Sequence, residues 1–308
     1  LSERGIYLKR IVSVSIGSSS RDHRAEVEFL GEPVVVERIG TDGSLERAVK
    51  MIEELDGKVD AFGIGGMDLY LYAGKKRYTV RDAAKLANAA KKTPIVDGSG
   101  LKNTLERRVV HYLEEQLKLK LAQHKVLMVS AVDRFGMAEA FDAYQCKILF
   151  GDLIFGLGLP IPIRKLKNLN KLASTLLPVL TKLPFKLLYP VGSKQDQNEV
   201  KYSKYYYDAD IIAGDFIFIK KYMPLEMKGK IIVTNTVTAK DIEELKRRGV
   251  SLLVTSTPEM MGRSFGTNVM EALLVAYSNK KRSEELQEED YLSLLEKLQF
   301  QPRVVNLN

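Results

Sequence analysis

Lys9-Arg10-Ile11-Val12-Ser13-Val14-Ser15-Ile16-Gly17-Ser18 is an apolar, β-branched run that ends in small polar residues. The same ending closes runs at Gly63-Ile64-Gly65-Gly66, Asp97-Gly98-Ser99-Gly100, Ser130-Ala131-Val132-Asp133, Thr234-Asn235-Thr236 and Thr255-Ser256-Thr257. Strands buried on both faces are apolar throughout, and turn chemistry gathers where they emerge. Helical segments follow most of these endings. The pattern predicts an α/β chain of two Rossmann-like domains, with mostly parallel sheets and an interdomain cleft. Right-handed β-α-β crossovers put the polar strand ends on one edge of each sheet, where open α/β sheets bind ligands.

Working outward, strands are predicted over 10–15, 34–39, 59–64, 93–96, 125–130, 147–150, 209–214, 230–234 and 252–255. Helices are predicted over 44–55, 79–92, 102–121, 135–144, 239–248, 267–277 and 288–298. The pair Gln123-His124 precedes a new strand, dividing an N-terminal substrate domain (1–124) from a C-terminal nucleotide-binding domain (125–308). The latter carries a proline-broken basic helical insertion (156–200) and a tail helix that can pack on either domain.

The 308 residues suffice for two domains, and 45% hydrophobic with 28% charged residues is a globular composition. A single cysteine, Cys146, excludes an intramolecular disulfide framework. The start lacks the basic-then-apolar order of a signal peptide and no run is long enough to span a bilayer, so a cytoplasmic location is expected. The net charge of +8 has a local source: seven basic residues and no acidic one lie between Leu153 and Gln195. The leucines of 163–189 beside those lysines fit an anionic membrane surface, an insertion packed over the cleft, or a homodimer face. Tyr202, Tyr205, Tyr206 and Tyr207 lie near lysines, but no nucleic-acid recognition module is visible and none is expected. The scattered His23, His111 and His124 indicate no metal site.

Several strand ends lead into helix N-termini, where free N–H groups and the helix dipole favour anions. Asp97-Gly98-Ser99-Gly100-Leu101-Lys102-Asn103-Thr104 is the richest, with two glycines allowing close backbone approach and Lys102 and Asn103 in the first turn. Lys102 and Asp97 are the candidate acid–base pair. Gly262-Arg263-Ser264-Phe265-Gly266-Thr267-Asn268 is its counterpart, with Arg263 a candidate anion clamp. Ser130-Ala131-Val132-Asp133-Arg134-Phe135-Gly136 occupies the place of a dinucleotide turn, and Asp152 ends the next strand about 20 residues on, as ribose binding requires. It has one glycine where three are usual.

The runs 9–18, 97–107 and 262–272 resemble a group of bacterial proteins labelled quinate 5-dehydrogenase or shikimate dehydrogenase-like, over nearly the whole chain. The resemblance implies a substrate domain followed by an NAD-binding domain, and a hydride transfer to or from a hydroxylated cyclic acid. It places a small anionic or hydroxylated substrate at Ser13, Ser15, Ser18, Ser99, Lys102, Asn103, Asn235, Thr255 and Arg263. It places NAD at Ser130, Asp133, Arg134, Gly136 and Asp152. Two departures stand out. The Asn-Val-Thr-x-Pro-x-Lys motif is missing from the first domain, and the glycine-rich turn is incomplete. Transfer of a nucleotide-linked sugar or a phosphate group across the same cleft is the alternative chemistry. Non-catalytic ligand binding, or peripheral membrane binding through 163–189, is the alternative without chemistry.

Overall fold

A computed structural model describes residues 8–74, 76–184, 201–257, 259, 260, 263, 264, 266–278, 286 and 288–308. Two mostly parallel sheets form the framework, as the alternation of apolar runs and helices predicts. The first takes β1 (Lys9–Ser15), β2 (His23–Phe29), β3 (Glu32–Gly40), β4 (Ala61–Gly65) and β7 (Ile95–Val96) in the order β2-β3-β1-β4-β7, with β2 antiparallel. The hairpin β5 (Tyr70–Ala73) and β6 (Lys76–Thr79) stands beside it.

The second sheet contains β8 (Lys125–Met128), β9 (Lys147–Phe150), β10 (Ile211–Ala213), β11 (Ile231–Thr234), β12 (Leu252–Thr255) and β15 (Arg303–Asn306). Its order is β15-β12-β11-β10-β8-β9, with β15 antiparallel at the edge. A short pair, β13 (Glu259–Met260) and β14 (Arg263–Ser264), lies between β12 and the last helices.

Side-chain alternation along β1 sorts the faces of the first sheet. Val12, Val14 and Ile16 point to α1 (Leu45–Leu55) and α2 (Arg81–Ala89). Ile11 points the other way, to α3 (Ser99–Glu115), α9 (Thr267–Tyr277) and α10 (Glu288–Lys297). The tail helix therefore packs on the first sheet, while β15, which follows it, completes the second. One face of the second sheet meets α3, α4 (Phe135–Ala143) and α5 (Leu166–Leu180). Its other face meets α6 (Ser203–Asp208), α7 (Phe216–Tyr222) and α8 (Ala239–Arg247).

Helix α3 belongs to both cores. Leu101 and Leu105 are buried with the first sheet, and Val109, Val110 and Leu113 with the second. Its first half leans on α9 through small residues. Ser13 pairs in register with Gly63 and Ser15 with Gly65, and a side chain at Gly63 would stand 3.0 Å from Asn268. Gly98 has φ +92°, and a Cβ there would lie 2.6 Å from the Asn268 amide nitrogen. A glycine is required for both reasons.

Replacing Gly98 by alanine is expected to lower unfolding free energy by about 2 kcal/mol or more, combining left-handed strain with a backbone clash. Gly31, with φ +80° and nothing within 4 Å, supplies the control for strain alone. Urea titrations of Gly98→Ala and Gly31→Ala check this; equal losses would remove α9 packing from the explanation.

Candidate functional site

The carboxyl ends of β4, β7, β8, β10 and β11 converge on α3, bringing polar groups from both sheets together. Lys102 and Glu106, one turn apart on α3, are buried at the point where the helix passes from one core to the other. Arg134, at the end of the β8 loop and only 4% exposed, pairs with Glu106 and with Asp215, 2.9 Å away. Asp215 caps α7 by accepting from the Ile217 amide and also accepts from the Asn235 side chain at 3.0 Å. Toward the first sheet, the Lys102 ammonium stands 3.6 Å from Asp133 and 3.7 Å from Asp68. Ser130 donates to Asp133. A continuous string of charge thus runs from Asn235 to Asp68 across the junction.

Lys102, Glu106 and Asp133 of the string border a cavity of about 20 Å³, room for a single water. Tyr70 and Tyr72 from the hairpin, Ser99, Lys102, Asn103 and Glu106 from α3, and Asp133 and Gly136 from the β8 side are among its walls. The Lys102 ammonium makes no hydrogen bond among the described residues, since both of its ion pairs are longer than a direct N–H···O contact. Oε2 of Glu106 is also buried without a partner.

Burial disfavours the Lys102 ammonium, but Asp68 and Asp133 outweigh it and hold the amine above its ordinary pKa. It stays protonated, a donor rather than a nucleophile. Burial raises the carboxyl of Asp68, against the pull of Lys102. Asp133, also desolvated, is held low by Lys102 and Arg134. Burial pushes Glu106 up to about 7 despite Arg134. The lone thiol, Cys146, is pushed up to about 12 by burial and offers no reactive thiolate at neutral pH.

Among the residues expected from sequence, Ser99, Lys102, Asn103, Asp133 and Gly136 line this cavity, and Arg134 and Asn235 belong to the charge string. The expected Asp97–Lys102 pair does not form. Asp97 instead accepts from the Leu69 and Tyr70 amides and from the amide and hydroxyl of Ser99, fixing the turn. Ser13 accepts from Asn268, and Ser15 accepts from Gly17 and Arg38, so both serve helix and loop packing. Ser18 caps a short 3-10 turn through the Ser20 amide. Thr255 is fully buried and donates to the Thr257 carbonyl. Arg263 lies in β14, and its side chain is outside the described residues, as are Gly262 and Phe265.

The α3 N-terminus, expected to hold a ligand anion, is filled by the protein itself. Glu271 of α9 accepts from the Gly98 and Leu101 amides and from the Tyr291 hydroxyl. A Cβ at Gly100 would lie 2.6 Å from that carboxylate. The glycines of this loop admit α9, not a ligand. Glu106, Asp68, Asp215 and Glu271 are the functional-looking acids that the sequence reading missed. Only Glu106 has a legible signal, as the step from Lys102 toward Val109 and Leu113 on one helical stripe.

Residues assigned to NAD do not fit it. One Asp152 oxygen accepts from the Ala131 and Val132 amides, both at 2.9 Å, which are the loop groups a pyrophosphate would need. Gly136 is an α3–α4 contact, since a Cβ there would fall 2.4 Å from the Asn103 side-chain oxygen. Arg134 is held by Glu106 and Asp215. Of the leucines of 163–189, Leu169 and Leu177 face the protein's interior, and residues 185–189 lie outside the described residues. Leu169, Ala173 and Leu177 of α5 are buried, the last two against Ala73 and Tyr78 of the hairpin. Among the described residues no helix is long and apolar enough to cross a membrane, and no cluster of three or more His, Cys, Asp or Glu is placed to hold a metal.

Two family models cover the chain: a domain of unknown function, DUF8753, over residues 10–97, and a domain of unknown function, DUF8754, over residues 100–307. No curated protein matches. Among solved structures, it is similar to AraP, an arabinose binding protein from Geobacillus stearothermophilus (10% identity, 98% of this chain and 97% of that one, TM-score 0.45). GanP, a glucose-galactose binding protein from the same organism, has 11% identity, 98% coverage of each chain and a TM-score of 0.40. A solute binding protein of an ABC transporter from Burkholderia multivorans has 12% identity, coverage of 98% and 100%, and a TM-score of 0.42. Similarity at this level does not transfer a ligand. The expectation of a quinate- or shikimate-type NAD-dependent oxidoreductase is corrected by the site itself: the loop amides, Gly136 and Arg134 assigned to the cofactor are committed to internal contacts.

Burial and the nearness of Asp97 push Glu271 up to about 8, against the Tyr291 hydroxyl and the α3 amides. Between pH 4.5 and about 8 the unfolded chain has lost this proton and the folded one has kept it, so stability falls as pH rises through that window. Glu271→Gln, which cannot ionise, is expected to flatten the decline by on the order of a few kcal/mol. Urea titrations across this range check it, and parallel profiles for the two proteins would contradict it.

Proposed function

The chain belongs to the family of the domain of unknown function DUF8754, and we propose that it binds a small, neutral, hydroxylated ligand at the junction of its two sheets, without transforming it. The observation that carries this reading is Lys102: a buried ammonium, held charged, facing a cavity, with no hydrogen-bond acceptor of its own. Its carboxylate neighbours stand beyond hydrogen-bond distance, so its N–H groups can donate to an oxygen placed in the cavity it borders. Asp133 and the free oxygen of Glu106 then accept from ligand hydroxyls.

The charges in and behind the cavity wall select against an anion. Asp133 and Glu106 line it with Lys102, and Asp68, Arg134 and Asp215 follow within one or two ion pairs, so a carboxylate or phosphate would add to an excess of negative charge. A neutral polyol or sugar meets the same donors and acceptors without that cost. With room for only one water, the cavity admits a ligand when the β5–β6 hairpin, whose Tyr70 and Tyr72 wall it, moves aside.

Isothermal titration with a panel of monosaccharides, cyclic polyols and their carboxylated analogues tests the reading. Saturable binding of a neutral member is expected, weakened roughly 10- to 100-fold by Lys102→Met, the worth of a charged hydrogen bond. Asp133→Asn should weaken it less. Failure of every neutral compound to bind, or preference for the carboxylated analogues, would sink it.

A further inference from the structure

The segment around α5 carries a second kind of surface. Four large apolar side chains in it stand in water: Leu157 is 53% exposed, Leu159 45%, Ile161 54% and Val179 63%. Arg164, Lys165, Lys167, Lys171 and Lys182 are exposed in the same stretch, where the sequence has no acidic residue. Asp208, an acid within the field of Arg164, is already paired with Lys125 at 2.7 Å.

The apolar loop is held in place rather than left loose. The Leu159 amide donates to the Leu153 carbonyl, the Tyr202 hydroxyl donates to Gly158, and Phe150 and Ile163 bridge the loop's end to β9. Pro160 and Pro162 stiffen it further. Helix α5 spends its own apolar stripe on the hairpin and the second core, so its lysines at 167 and 171, one turn apart, face outward.

We propose that residues 157–182 dock on an anionic phospholipid surface, the basic side chains meeting headgroups and Leu157, Leu159 and Ile161 entering the interface. Basic charge and exposed aliphatic groups on one anchored segment are the two components of interfacial binding. A nucleic acid would use the charge but has no use for three aliphatic side chains; its bases stack on aromatic rings. The site is separate from the cavity at Lys102, and the two readings stand or fall apart.

Co-sedimentation of the full chain with vesicles tests it. Binding to mixed phosphatidylcholine–phosphatidylglycerol vesicles is expected, falling with salt, with none to phosphatidylcholine alone. A lysine near such a surface is worth about fivefold, so Lys165→Glu, Lys167→Glu and Lys171→Glu together should cost on the order of a hundredfold or more. Leu157→Ser, Leu159→Ser and Ile161→Ser together should remove the binding that survives high salt. All six positions are exposed, and circular dichroism verifies the folds. No binding to the anionic vesicles at low salt, equal binding by the charge-reversed variant, or retention on duplex DNA with none on vesicles would each overturn the proposal.

Discussion

Helix α3 is a single rigid element shared by two hydrophobic cores, and the rest of the molecule is arranged around that sharing. Its first turns are buried with the first sheet and its last turns with the second. Lys102 and Glu106 sit at the handover, where neither core offers water. A buried ion is tolerable only when paired, which obliges the β8 loop to bring Arg134 to Glu106 and α7 to bring Asp215 to Arg134. Such a network is weak evidence of stability, because apolar replacements can match it. Its consequence here is geometric: the ends of five strands are held within reach of one helix.

Two acidic side chains do inside the protein what a ligand does in a nucleotide-binding fold. Glu271 fills the N-terminus of α3, and Asp152 fills the amides after β8. Unpaired amides that would donate to a phosphate donate equally well to a side-chain carboxyl oxygen. A sequence displays the cradle but not its occupant, and this is why the dehydrogenase resemblance led to residues that the fold has already engaged.

The alternation of apolar runs with helices made both parallel sheets legible, because periodicity and strand-end chemistry are local. The antiparallel edges β2 and β15 and the hairpin β5–β6 were not read. His23–Phe29 carries charges at alternate positions and Arg303–Asn306 is flanked by its own polar ends around two valines, so neither has the apolar continuity of a central strand. At the site, Lys102, Asn103, Ser99 and Asp133 were legible as residues beside a strand end. Their partners were not. Asp215 reads as an ordinary helix cap, and nothing local brings Asp68 toward Lys102 from across a sheet. The glycines at 98 and 100 were read as places where a ligand approaches the backbone; what approaches is helix α9.

The excess of acids over bases at the junction also bears on what it can admit. Lys102 and Arg134 offset part of the negative charge of Asp68, Asp133 and Asp215, and the protonated form of Glu106, raised to about 7 by burial, removes another. An anion placed beside Lys102 meets the charge that is left over, whereas a hydroxyl group adds none. The proposed selectivity for a neutral ligand would therefore follow from the same ion pairs that make a buried lysine and glutamate tolerable on α3.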